Sequence, residues 1–238
     1  MKLDTRELTF ETLNAQVRAS EGDLELEGVC GQRFIAAGLS GRNMTIEGVP
    51  GNALGAYLNG ASITVHGNAQ DAVGDTMNDG EIIIHGNIGD AAGYAMRGGT
   101  IYVRGNAGYR AGIHMKEYRE KRPAIIIGGR TGSFLGEYQA GGLLVVLNLE
   151  EKLPAVSFFP CTGMHGGKLF LRGDCTGIKF PAQVTSRPAQ PEDLEEIRPY
   201  LARFAELFGA ELSTLLDSPY TVVTPDSANP YKQLYVAN

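Results

Sequence analysis

The chain has 238 residues, of which 43% are hydrophobic and 20% charged, and its formal net charge is −6. This composition excludes a disordered acidic segment, gives no basic footprint for nucleic acid, and contains no apolar run near the ~18 residues that a membrane span needs. The basic start of the chain is not followed by the apolar run of a secretory signal, so a cytoplasmic protein is predicted. The length predicts one large domain or two small ones.

Glycine is concentrated in one part of the chain, where it marks a repeat. Thirty of the 32 glycines lie between Gly22 and Gly173. Shifting the sequence by nineteen residues aligns the following glycine and isoleucine columns: Gly48, Gly67, Gly86 and Gly105; Gly55, Gly74, Gly93 and Gly112; Ile63, Ile82 and Ile101. A constant period of this kind indicates stacked supersecondary units.

Each repeat has the pattern of short strands separated by corners. β-Branched and aromatic residues fill runs such as 81–84 and 100–103, which is typical of strands bounded by turns. Glycines recur at intervals of seven, six and six residues, which fits three short segments per repeat. The predicted fold of residues 21–175 is all-β: a right-handed parallel β-helix of about seven coils, with rungs about 4.8 Å apart.

Stacked coils turn equivalent positions into ladders. Asn68, Asn87 and Asn106 share a column, so hydrogen bonding from one to the next is predicted at a corner. Met77, Met96 and Met115 share another column, which favours a core ladder over the wall of a cofactor site.

One insertion, from His114 to Arg122, interrupts the repeat. Because an insertion in a solenoid projects from its surface, the insertion is a predicted partner-contact site. Its candidate contact residues are Lys116, Tyr118, Arg119, Lys121 and Arg122. The alternative is an ordinary solvated loop.

Both ends of a solenoid expose apolar surface and need caps. Residues 1–20, with Leu8, Leu13 and Val17, are predicted to form the first cap.

Residues 176–238 are predicted to contain a helix and an extended tail. Residues 191–208 place apolar side chains on one face, begin with acidic residues and end before Gly209, as expected of an amphipathic helix. This helix is either the second cap or a docking face. Three prolines characterise the tail: Pro219, Pro225 and Pro230.

The sequence contains no phosphate loop, zinc-protease motif, nucleophile elbow or dinucleotide fingerprint. Lys2 follows the initiator, where an N-terminal-nucleophile amidotransferase needs Cys, Ser or Thr.

His66 and His85 share one column and are predicted to point to solvent, although two stacked histidines could share a ligand. Cys161 and His165 have the spacing of a nucleophile and a base, but His165 occupies an ordinary corner of the repeat.

The repeat also resembles a known family. The pattern G-N-x-G-x-x-x-G-x-x-M begins at Gly86, is followed by I-x-V-x-G and restarts at Gly105; it resembles the GXGXG domain of the glutamate synthase large chain. The same domain forms one of the subunits of formylmethanofuran dehydrogenase. Residues 129–142 and 163–167 look more like the glutamate synthase branch, and Asn229–Tyr235 is similar to free-standing versions of that domain.

The resemblance implies a structural subunit without an active site of its own. In the family, a glutamine amidotransferase part and a synthase part carrying FMN and an iron–sulfur cluster perform the chemistry, and N-methylglutamate synthase has a similar layout. Those two parts are the implied partner subunits, with a homo-oligomer also compatible, and this chain is expected to bind no cofactor. Two alternatives remain: a subunit of a formylmethanofuran dehydrogenase or formyltransferase complex, and a carbohydrate-active β-helix enzyme.

Overall fold

The structure, a computed structural model, describes residues 1–150 and 152–226. The strands in these residues are β1 Lys2–Asp4, β2 Leu24–Cys30, β3 Asn43–Val49, β4 Asn59–His66, β5 Asp79–Ile84, β6 Thr100–Val103, β7 Ala124–Ile127, β8 Ala140–Val146, β9 Gly166–Arg172, β10 Val184–Pro188 and β11 Tyr220–Pro225. The helices are α1 Phe10–Ala19, α2 Pro191–Phe208 and α3 Leu212–Leu216.

Strands β1 to β9 stack in chain order, and each pairs in parallel with the next. Ile63 pairs with Ile82, which pairs with Ile101, so residues nineteen apart lie in register. The described strands form a β-solenoid of about eight turns, which confirms the predicted all-β fold. β1 adds a further rung before residue 21, since it pairs with β2 although residues 2–4 carry no repeat signal.

Only one of the three predicted segments in each coil is a continuous strand. Between Ala69 and Val156 the second pairs through one bridge per coil, as between Ile88 and Ala107. The third is a turn in which positive φ angles recur at every second residue. The Ala91 N–H donates to the Tyr109 carbonyl of the following coil, and the Gly93 N–H donates to the Val73 carbonyl of the preceding coil, both at 2.7 Å. The turns are therefore hydrogen-bonded into the stack like the strands.

The predicted asparagine ladder is present. The Asn87 N–H donates to Asn68 Oδ1 and the Asn106 N–H donates to Asn87 Oδ1, each at 2.8 Å. A second ladder, which the repeat pattern did not predict, runs along the next corner, where the Asp90 N–H donates to Asp71 Oδ1 at 2.9 Å. Side-chain oxygens thus satisfy corner amides that no strand pairs.

Both ends of the apolar interior are covered. At the first end, Leu13 and Val17 of α1 are buried in the main core. At the other end, Ile178, Phe180 and Val184 pack against the same core.

The outward-facing column of the sheet changes character along the axis. In β2 to β4 this column consists of Glu25, Thr45 and Thr64, which are exposed or half-buried. In β5 to β9 it is apolar and buried: Ile83, Tyr102, Ile126, Val145 and Phe170. The buried face of α2, with Leu201 and Phe204, packs on this apolar half. The helix therefore covers the flank of the solenoid rather than its end, because that flank is where the outward column is apolar.

Local signals fix the bounds of α2. A capping box joins Gln190 and Asp193 at its start, and Gly209, at φ +70°, ends it as predicted. Beyond it, β11 pairs antiparallel with both β9 and β10, so residues 220–225 are extended. Pro230 and Asn229–Tyr235 lie outside the described residues.

Candidate partner-contact surface

The insertion folds back against the solenoid as a short hairpin. It enlarges one coil, so that Ile101 of β6 pairs with Ile125 of β7, 24 residues later. Tyr118 and Lys121 exchange two backbone hydrogen bonds of 3.1 Å, and Arg119 between them has φ +57°. The insertion therefore has a defined conformation at the surface.

Two of the five candidate contact residues are engaged within the chain. Lys121 Nζ lies 2.8 Å from Asp79 Oδ2, and this hydrogen bond lowers the pKa of Asp79. Arg122 Nη2 lies 2.6 Å from Glu196 Oε1 of α2. Burial opposes ionisation of Glu196, but hydrogen bonds from Lys168 and Arg122 outweigh it and lower its pKa. These two cations hold the insertion against β5 and α2.

The other three candidates are accessible to solvent. Lys116, Tyr118 and Arg119 are exposed, and the Arg119 guanidinium lies 5.2 Å from the centre of the Tyr118 ring. A cation beside an exposed tyrosine is a common composition for a protein interface.

A row of aromatic side chains follows the turns of successive coils. We call it the aromatic face, and its members are Tyr57, Tyr94, His114, Phe134, Tyr138 and Phe159. The His114 ring lies 5.9 Å from Tyr94 and stacks on Tyr138 at 5.2 Å. Tyr57 is 58% exposed and Phe159 is 63% exposed. The repeat columns did not predict this face, because its residues lie at turn positions beside the inward-facing columns.

The histidine column is partly covered. The His66 and His85 rings stack at 4.7 Å, and the His85 ring meets Phe208 of α2 edge-on at 5.2 Å. Burial lowers the pKa of His85, and the nearby charges of His66 and Arg104 lower it further, against the opposing charge of Glu47. His66 is exposed as predicted, whereas α2 partly covers His85.

Cys161 and His165 do not form an activated pair. Cys161 is fully buried in the core, and burial raises the pKa of its thiol to about 12. A thiol in this environment stays protonated and is a poor nucleophile. The His165 Nδ1 lies 2.9 Å from the Gly163 carbonyl oxygen.

No group of three or more His, Cys, Asp or Glu side chains that could hold a metal ion occurs in residues 1–150 and 152–226. In the same part of the chain, none of the helices is long and apolar enough to cross a membrane.

A sequence model of the family described as "GXGXG motif" matches residues 12–225. The uncharacterized protein MJ1350 of Methanocaldococcus jannaschii is 41% identical over 248 residues, which cover 98% of this chain and 95% of that protein.

The solved structures include a chain of similar fold. It belongs to the formyltransferase/hydrolase complex FhcABCD of Methylorubrum extorquens, determined with methylofuran. The superposition has a TM-score of 0.63 at 22% identity and covers 91% of this chain and 87% of the other. At this identity the likeness establishes a common fold and nothing finer.

Proposed function

Because the chain belongs to the GXGXG family, we propose that it is a structural subunit, without catalytic residues, of a multi-subunit enzyme similar to glutamate synthase. The proposed product of that enzyme is glutamate or N-methylglutamate. Its glutamine amidotransferase and its FMN- and iron–sulfur-containing synthase are the proposed partners.

The observation that supports this proposal most is that the aromatic side chains able to bind a partner lie at the surface, whereas the sulfur-containing side chains of Cys161 and the methionine column are buried. Cys161 and the methionine column lie in the core, whereas the aromatic face and the outward part of the insertion are exposed. A cluster of exposed aromatic side chains is typical of a site where another protein binds.

A rigid solenoid suits such a role physically. Its stack of hydrogen-bonded rungs resists bending, and transfer of ammonia between two distant active sites requires a fixed separation between them. A brace along the side of the two catalytic subunits would supply that fixed geometry.

A second candidate is a subunit of a formyl-transferring complex. The fold match to a chain of a formyltransferase/hydrolase complex favours it. Residues 129–142 and 163–167, whose pattern looks like the glutamate synthase branch, favour the first candidate.

Affinity purification of the tagged chain from its source organism separates the two candidates. We expect a flavoprotein and a glutamine amidotransferase to co-purify, with flavin and iron–sulfur absorbance in the eluate. Recovery of formyl-transfer subunits instead would support the second candidate. A chain that elutes alone would contradict both.

Paired surface variants test where the partners bind. Tyr57→Ala combined with Phe159→Ala removes two of the most exposed rings of the aromatic face, and Arg119→Ala alters the tip of the insertion. Each is expected to reduce partner recovery, whereas Thr64→Ala on the open sheet face should leave it unchanged. Equal recovery with all three variants would place the interface elsewhere.

A further inference from the structure

A recess lies between the insertion and three successive rungs of the solenoid. Its volume is about 380 Å³, within the range of small-molecule sites. The side chains that line it are Tyr57, Asn59, Asn78, Arg97, Tyr118 and Lys121.

The repeat and the insertion together build this recess. Asn59, Asn78 and Arg97 follow the inward column of Leu58, Met77 and Met96, so they stack one rung apart. The Asn78 N–H donates to the Leu58 carbonyl and the Arg97 N–H donates to the Met77 carbonyl, both at 2.8 Å. The insertion then supplies the facing wall.

Gly98 allows that wall to close. A Cβ atom there would lie 2.4 Å from the Asn78 carbonyl oxygen and 3.0 Å from Lys121 Cβ. The stem of Lys121 can therefore lie directly against the backbone beside Arg97.

The polar groups of the recess have unused hydrogen-bonding capacity. Arg97 Nε is buried and has no partner within the described residues. Asn59 is exposed and Asn78 is half-buried, and within the described residues their side-chain amides are not engaged by other protein groups. A buried guanidinium nitrogen without an acceptor is rare in folded proteins, and either a water molecule or a bound group can supply that acceptor. Arg97 as a whole is half-buried and borders the recess, so a bound group would meet its guanidinium there.

The charges that line the recess favour an anionic ligand. Its lining includes the cations Arg97 and Lys121 and no acidic residue. Asp79 already pairs with Lys121 at 2.8 Å. Arg97 forms no ion pair within residues 1–150 and 152–226, so its charge is available to a ligand.

We propose that this recess binds a small organic carboxylate. The fork of the Arg97 guanidinium matches a carboxylate, the two asparagine amides can donate to its oxygens, and Tyr57 and Tyr118 provide aromatic walls for its organic part. This proposal does not depend on the proposed function.

Titration of the full chain with benzoate tests it, with benzamide as the neutral probe of the same shape. The Arg97 Nε–H resonance, assigned with an Arg97→Lys variant, is followed by NMR. We expect a saturable shift of this resonance with benzoate and none with benzamide. No shift with benzoate, or equal shifts with both probes, would overturn the proposal.

Calorimetry with variants gives a second readout. Arg97→Gln should weaken benzoate binding at least about tenfold, whereas Arg104→Gln, an exposed cation of the same coil outside the recess, should change it less than about twofold. Asn78→Ala serves as a further variant should Arg97→Gln fail to fold. Tighter binding of inorganic phosphate than of benzoate, or equal losses with Arg97→Gln and Arg104→Gln, would contradict a carboxylate site at Arg97.

Discussion

The two halves of the solenoid share one interior but have different exteriors. Inward columns such as Ile63, Ile82 and Ile101 continue unchanged from β4 to β6. The outward column changes from Thr64 in β4 to Ile83 in β5, and α2 covers the sheet from that point. The repeat thus specifies the solenoid, whereas departures from the repeat specify what packs against it.

The largest expected effect comes from removing the main anchor of the covered half. Phe204 is fully buried, and its ring lies so close to Gly128 that a Cβ there would be 2.7 Å from Phe204 Cζ. Phe204→Ala should lower the free energy of unfolding by about 3–5 kcal/mol, measured by urea denaturation. Thr64→Ala on the open half is the control and should change it by under about 0.5 kcal/mol. Similar losses from both would contradict the distinction between the halves.

Alanine substitutions at two glycines distinguish the cost of backbone strain from the cost of overpacking. Gly93 has φ +66°, and an added Cβ would lie 2.4 Å from Ile125 Cδ1, whereas Gly41 has φ +63° and open space around it. Gly93→Ala should cost about 2–4 kcal/mol, because overpacking adds to the left-handed strain. Gly41→Ala should cost only about 1–2 kcal/mol, from strain alone. Thermal or urea unfolding measures both, and equal costs would show that the close approach at Gly93 relaxes.

Substitutions in two ion pairs of α2 should differ less in their effect on the free energy of unfolding. Arg203 binds Glu81 of β5 with an Nη2–Oε2 distance of 2.9 Å and thereby joins helix and sheet, whereas Arg198 pairs with Glu195 within the exposed face of the helix. Arg203→Gln should destabilise the chain by about 1 kcal/mol, and Arg198→Gln should destabilise it less, because water screens its exposed pair with Glu195. A larger loss from Arg198→Gln would show that the helix–sheet pair does not hold α2.

The smallest effect concerns pH at the boundary between the halves. The pKa of His85 is lower in the folded chain, mainly through burial, so the unfolded chain takes up a proton first as the pH falls. The stability that the folded chain gains from holding His85 neutral is complete above about pH 6.5 and is lost as the pH falls toward the pKa of His85 in the folded chain. Wild type should therefore lose more stability than His85→Gln between pH 7.5 and 5.5 in parallel urea titrations. Identical losses would show that α2 does not restrict protonation of His85.

The sequence was sufficient for the features that repeat. The glycine and isoleucine columns predicted the register of the strands, and Asn68 and Asn87 predicted the corner ladder, because stacking places identical residues over one another. The change from Thr64 to Ile83 was also visible in the sequence. That α2 covers the sheet from Ile83 onward was not predictable, because it depends on where the helix returns to the solenoid.

Features that depart from the repeat were not predictable from its columns. Gln139 replaces methionine in the core column between Met115 and Met164, and its Nε2 donates to two glycine carbonyls while its Oε1 has no partner among the described residues. The recess at Arg97 likewise depends on the direction in which the insertion folds, which no column of the repeat determines.

Reconstitution of the proposed complex tests the central claim most directly. The amidotransferase and synthase subunits are purified with and without this chain, and glutamine-dependent formation of glutamate is measured in each preparation and with the chain alone. The account predicts no activity for the isolated chain, low activity for the partners without it, and recovery when it is added back. Glutamate formation by the isolated chain, or full activity of the partners without it, would contradict the account.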